Sequence, residues 1–133
     1  VDSGRVLAID YGTVRTGVAV CDATGTVARP LTVVARAASE RGLREIAVLV
    51  REQQAERVVV GLPLSLDSDE HGQARAVRSF IARLERVLTV PVVTYDERFT
   101  TKLAQGRGGT AELDARAAAV LLEDYLRSVE GGQ

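Results

Sequence analysis

At 133 residues, the chain is long enough for one unstapled hydrophobic core and short for two, so a single domain over residues 1–133 is expected. Its 46% hydrophobic and 26% charged residues are those of an ordinary soluble globular protein. No apolar run approaches the ~18 residues of a membrane span, no signal peptide is read in residues 1–4, and a single cysteine excludes an internal disulfide framework and a cysteine-only zinc site, so a cytoplasmic setting is expected.

The first strand is the apolar run Val6–Ile9, which ends on Asp10. Gly12 follows where the chain must turn, and Gly17–Val20 returns as the second strand of a hairpin. After the turn signal Asp22-Ala23-Thr24-Gly25, residues 26–34 read as a third strand, and Pro30 inside it implies an edge or a bulge. A helix opens at Ser39-Glu40, with Leu43, Ile46, Ala47 and Val50 at helical spacing, and ends near Gln54. Arg57–Val60 is a β-branched strand that stops at Gly61-Leu62-Pro63, where Gly61 and Pro63 shape a loop. Residues 64–72 are polar, and Ala74, Val77, Ile81, Leu84 and Leu88 mark a second amphipathic helix. Residues 90–95 form a further strand running into Asp96-Glu97, and a last helix spans about 112–129. The order β-β-β-α-β-α-β-α predicts an α/β protein with a mixed five-stranded sheet and helices packed on it, the ribonuclease H-like arrangement.

Carboxylates stand at three element ends: Asp10 after the first strand, Asp96 or Glu97 after the last, and Asp114 in the opening turn of the final helix. Asp114 precedes Ala117 and Ala118 by three and four residues, so it shares their inward face. A carboxylate at the end of a buried strand is costly unless something pairs with it. Hard oxygen ligands converging in this fold suit Mg²⁺ or Mn²⁺, and two such ions about 4 Å apart serve phosphodiester hydrolysis. Neighbouring strand residues face opposite ways, so Glu97 is preferred as the third ligand, with Asp96 as the alternative. The net charge of −1 neither supports nor excludes a nucleic-acid substrate, since 16 of the 17 basic residues are arginine and can be gathered on one face to grip phosphate.

Ordered motifs across nearly the whole chain resemble the YqgF/RuvX family, described as Holliday junction resolvases or pre-16S rRNA nucleases of the ribonuclease H-like superfamily. The matching residues are Asp10, Gly12, Arg15, Gly17, Val18 and Ala19; Val59 to Leu64; Asp67 with Gln73-Ala74-Arg75; Asp96 to Thr101; and Asp114, Ala117, Ala118, Leu121 and Leu122. The resemblance implies Asp10, Glu97 and Asp114 as the acidic catalytic site. Arg15 and Arg98 flank the acids, either holding substrate phosphates or pairing with a site carboxylate. Thr100, Thr101 and Lys102 join this set as candidate phosphate contacts, Thr100 otherwise capping the next helix. Tyr11 either stacks on a base or shields the turn. One departure stands out: residues 102–113 are shorter and less basic than the family's corresponding segment, with only Lys102 and Arg107 basic.

The leading expectation is a metal-dependent endonuclease acting on branched DNA, which for paired symmetric cuts requires a homodimer. The alternative is a nuclease maturing the 5′ end of pre-16S rRNA. Two remoter readings are an actin- or sugar-kinase-like ATP binder, which needs two such domains, and an inactive nucleic-acid-binding module, which gains nothing from clustered acids beside phosphate. Acidic Asp67, Asp69 and Glu70 read as a solvated loop, His71 as a surface residue and Cys21 as core.

Overall fold

Eight elements follow in the expected order: β1 (Arg5–Asp10), β2 (Arg15–Cys21), β3 (Ala28–Ala35), α1 (Glu40–Glu52), β4 (Ala55–Leu62), α2 (Gln73–Val87), β5 (Val92–Asp96) and α3 (Ala111–Gly131). The computed structural model describes residues 4–62, 72–96 and 111–131. The five strands form one mixed sheet in the order β3-β2-β1-β4-β5. β1 runs antiparallel to β2 and parallel to β4, and β5 extends the parallel half. The ribonuclease H-like α/β fold read from the sequence is the one found.

The central position of β1 explains its composition. Both of its faces are covered, so it reads as a continuous apolar run rather than an alternating one. Leu7 and Ile9 point into a core shared with Val18, Val58 and Val60, closed by Ile46 of α1 and Phe80 and Leu84 of α2. Val6 and Ala8 point the other way, into a second core with Ala19, Cys21, Val59 and α3 residues Ala118, Leu121, Leu122 and Tyr125. The sheet thus carries α1 and α2 on one face and α3 on the other. Pro30 does both things its position implied: β3 is the sheet edge, and its pairing with β2 slips between Val18 and Ala19, opposite Pro30.

Local signals set the element ends. The Ser39 hydroxyl accepts the Gly42 N–H at 3.0 Å, capping α1. Asp22 organises the β2–β3 turn by accepting the Thr26 N–H at 3.0 Å, the Val27 N–H at 3.2 Å and the Thr24 hydroxyl at 2.9 Å. Cys21 is core, as its neighbours required: its Sγ accepts the Val6 N–H at 3.1 Å, and burial pushes the thiol above its ordinary pKa. Among the described residues, no helix is long and apolar enough to cross a membrane.

Candidate active site

The site grows from the β1–β2 hairpin. In the β1–β2 ladder Asp10 sits directly opposite Gly17. Cross-strand partners share a face, and the alternation from Val6 and Ala8 puts Asp10 on the α3 side. Asp10 is only 4% exposed there.

Gly17 is the contact point for α3. A Cβ built on Gly17 would run into the carbonyl oxygen of Asp114, so the missing side chain is what lets the opening turn of α3 lie against the strand. Asp114 is consequently 2% exposed. Asp10 and Asp114 therefore flank Gly17 from neighbouring elements on one face of the sheet. Arg15 shares that face, two residues before Gly17, and its Nε lies 2.9 Å from Asp114 Oδ2. The Arg15 side chain is about one-third exposed, so it bridges a buried carboxylate to solvent.

The hairpin turn is held rigidly. The buried Thr16 hydroxyl accepts the Gly12 N–H at 3.2 Å and donates to the Gly12 carbonyl at 3.1 Å. A Cβ on Gly12 would strike the Arg15 carbonyl oxygen, so this turn requires glycine. Thr16 drew no attention in the sequence, because its partner is backbone and no residue pattern announces it. A buried hydroxyl four residues after a turn glycine is the signal available.

The other sequence candidates divide by position. Tyr11 stacks on Phe80 of α2, with ring centroids 4.4 Å apart and planes at 19°, and it packs against the core on the α1–α2 side. One face of its ring is thus occupied, on the side of the sheet away from Asp10. Asp96 pairs in register with Leu62. Tyr95 before it packs into the α3-side core, so alternation turns Asp96 to the opposite face from Asp10. Gly61 is buried beside Tyr95 in the β4–β5 ladder. Glu97, Arg98, Thr100, Thr101, Lys102 and Pro63 lie outside the described residues.

Within the described residues no group of three or more His, Cys, Asp or Glu side chains gathers around one point. The chemistry present is a pair of desolvated carboxylates with one guanidinium. Carboxylate oxygens are the donors that hard divalent cations take, and burying two of them on one face is costly without positive charge nearby. The residues present therefore fit a divalent-cation site to which a further acid is added.

The profile of the RuvX family, described as Holliday junction resolvase, matches residues 4–128. A protein of Syntrophus aciditrophicus (strain SB), provisionally named a pre-16S rRNA nuclease, is 40% identical over 134 aligned positions covering 94% of this chain and 89% of its own. A relative from Anaeromyxobacter dehalogenans (strain 2CP-C), with the same provisional name, is 41% identical over 131 positions, 92% of this chain and 96% of its own. Among solved structures, Thermus thermophilus RuvC in complex with a Holliday junction substrate superposes with a TM-score of 0.63 at 18% identity, covering 96% of each chain. Fowlpox virus resolvase with Holliday junction DNA gives 0.55 at 12% identity, covering 94% of this chain and 98% of its own. These two likenesses establish the fold. The family match and the close relatives go further: the chain belongs to the RuvX family.

Proposed function

We propose that the chain is a metal-dependent endonuclease that hydrolyses phosphodiester bonds in structured nucleic acid in the cytoplasm. The observation that carries this reading is the placement of Asp10 and Asp114, both buried, on either side of Gly17. Asp10, Asp114 and Glu97 would hold Mg²⁺ or Mn²⁺, with Asp96 the weaker candidate. Two such ions, when bound, activate a water and stabilise the leaving oxygen of an in-line displacement.

The chain's own residues have separate tasks. The two buried aspartates present fixed oxygens, because β1 and the opening turn of α3 are locked by core packing. Arg15 fixes the Asp114 carboxylate at 2.9 Å, and its exposed portion remains open to a substrate phosphate. Thr16 holds the turn after Asp10, so that carboxylate cannot swing with a loose hairpin. Arg98, Thr100, Thr101 and Lys102 are proposed to contact substrate phosphates, and Gly12, Gly61 and Pro63 to shape the loops around the acids.

Two substrates fit. The family description favours four-way junction DNA, and that reaction calls for a homodimer making two symmetric cuts. The names of the close relatives favour precursor 16S rRNA, for which one chain suffices. Labelled versions of both, incubated in parallel with Mg²⁺ or Mn²⁺ and with chelator, separate the readings. Paired symmetric nicks in the junction support a resolvase, and trimming of the RNA alone supports a maturation nuclease. No metal-dependent cleavage of either would overturn the proposal.

A further inference from the structure

The overall charge of −1 conceals a strong asymmetry. Helix α3 carries Glu112, Asp114, Glu123, Asp124 and Glu130 against Arg116 and Arg127, whereas α2 carries Arg75, Arg78, Arg83 and Arg86 against the single acid Glu85. All four α2 arginines are exposed. At 100° per residue they fall within an arc of about 140°, centred opposite the buried stripe of Ala74, Val77, Phe80, Ile81 and Leu84. Between them lie Ser79 and Ala82, exposed and small, which leave the arginine heads room to reach outward.

Among the described residues, three of the four charges on this face are uncompensated. On α3, Arg127 pairs with Asp124 at 3.1 Å and Arg116 approaches Glu112 at 4.0 Å. Among the described residues, Arg78, Arg83 and Arg86 form no ion pair. They span about 12 Å of helix axis at 1.5 Å per residue. One strand of a duplex presents a phosphate every ~3.4 Å along its axis, so that span matches about three to four phosphates.

The helix is also tied to the site. α2 follows β4, whose C-terminal end lies at the same end of the sheet as Asp10, since β1 and β4 are parallel. Phe80 stacks on Tyr11, the residue after Asp10. We propose that the outer face of α2 is a track for the sugar-phosphate backbone of a double-stranded substrate arm leading away from the acidic site. The idea rests on the nuclease reading and extends it to a second surface, on the opposite face of the sheet. A second copy of this chain is the poorer occupant, because a two-fold contact on this face sets arginine against arginine.

The test is binding of the full chain to a labelled DNA four-way junction and to a labelled hairpin RNA, in chelator, across about 50–200 mM salt. The Arg78→Ala/Arg83→Ala/Arg86→Ala variant is compared with wild type and with Arg41→Ala/Arg44→Ala on charge-balanced α1. Three lost phosphate contacts reduce the slope of log affinity against log salt by about 2.7. The α1 variant keeps the wild-type slope, and at saturating substrate the α2 variant keeps its cleavage rate while KM rises. Should the triple variant lose its wild-type urea midpoint, Arg83→Ala/Arg86→Ala carries the test with a reduction of about 1.8. An unchanged slope, an equal loss in the α1 variant, or a wild-type dimer that the α2 variant splits would overturn the proposal. The nuclease reading fails separately, by Asp10→Asn retaining cleavage, which leaves these slopes untouched.

Discussion

Replacing Gly17 with alanine places a methyl group where the Asp114 carbonyl now lies. The obstacle is backbone at the opening turn of α3, so no side chain can rotate away. Either the strand bends or the helix withdraws, and both loosen the packing of Ala118 and Leu121 on β1 and β2. Overpacking of this kind costs about 2 kcal/mol. With a urea dependence of about 1.5 kcal/mol per molar, the unfolding midpoint falls by roughly 1.3 M. The effect on function is larger than the effect on stability, because Asp114 moves with the helix while Asp10 stays in the central strand. A displacement of about 1 Å between catalytic groups costs on the order of 100-fold in rate. Urea unfolding and single-turnover cleavage of the same preparation check both parts. A Gly17→Ala protein with the wild-type midpoint and the wild-type rate would refute the close approach of α3 and the pairing of the two aspartates built on it.

Arg15→Ala leaves the buried Asp114 carboxylate without its guanidinium and should cost about 2 kcal/mol. Arg15→Lys should recover charge but not the planar contact, giving an intermediate urea midpoint. Tyr95 lies partly buried, with its hydroxyl 3.4 Å from the Asp124 carbonyl, and burial and the Asp124 charge push its pKa up. Folding therefore favours the neutral phenol. That contribution is complete below the unfolded value of about 10 and fades as pH rises through the folded value, so ultraviolet titration should show one tyrosine ionising late. Asp22 behaves oppositely. The hydrogen bonds from Thr26, Thr24 and Val27 hold its carboxyl below the ordinary value, so its contribution is present above about pH 4 and is lost as pH falls through the lower folded value. Asp22→Asn should flatten the acid limb of a stability-against-pH curve measured by circular dichroism.

Much of the fold was legible because the sheet writes itself plainly. β1 and β4 are buried on both faces and appear as short apolar runs, Pro30 marks the edge, and α1 and α2 show clean helical spacing. The spacing of Asp114 to Ala117 and Ala118 sets it on the inward face, and it is buried. What escaped reading depends on contacts between residues far apart in the chain. Charge alone left Arg15 free to serve a phosphate or a carboxylate, and only the approach of α3 brings Asp114 to it. Tyr11 beside an acid invited a base-stacking role, but Phe80 arrives from α2 to occupy one ring face. Thr16 was invisible because its partner is the Gly12 backbone. Of the α2 arginines only Arg75 enters the sequence reading, as part of a motif, because an exposed arginine looks alike in sequence whether or not a neighbouring acid offsets it.

The central claim is that Asp10 and Asp114 act as one buried acidic pair in phosphodiester cleavage. It is tested most directly by single-turnover cleavage of whichever substrate the wild type cuts, using Asp10→Asn and Asp114→Asn in Mg²⁺ or Mn²⁺. Each substitution keeps the side-chain shape and removes the charge. The account predicts that both variants keep the wild-type circular dichroism spectrum and lose cleavage, and that the double variant is no worse than either single one, because the two groups work as a unit. Cleavage at the wild-type rate by a folded Asp10→Asn protein would contradict it.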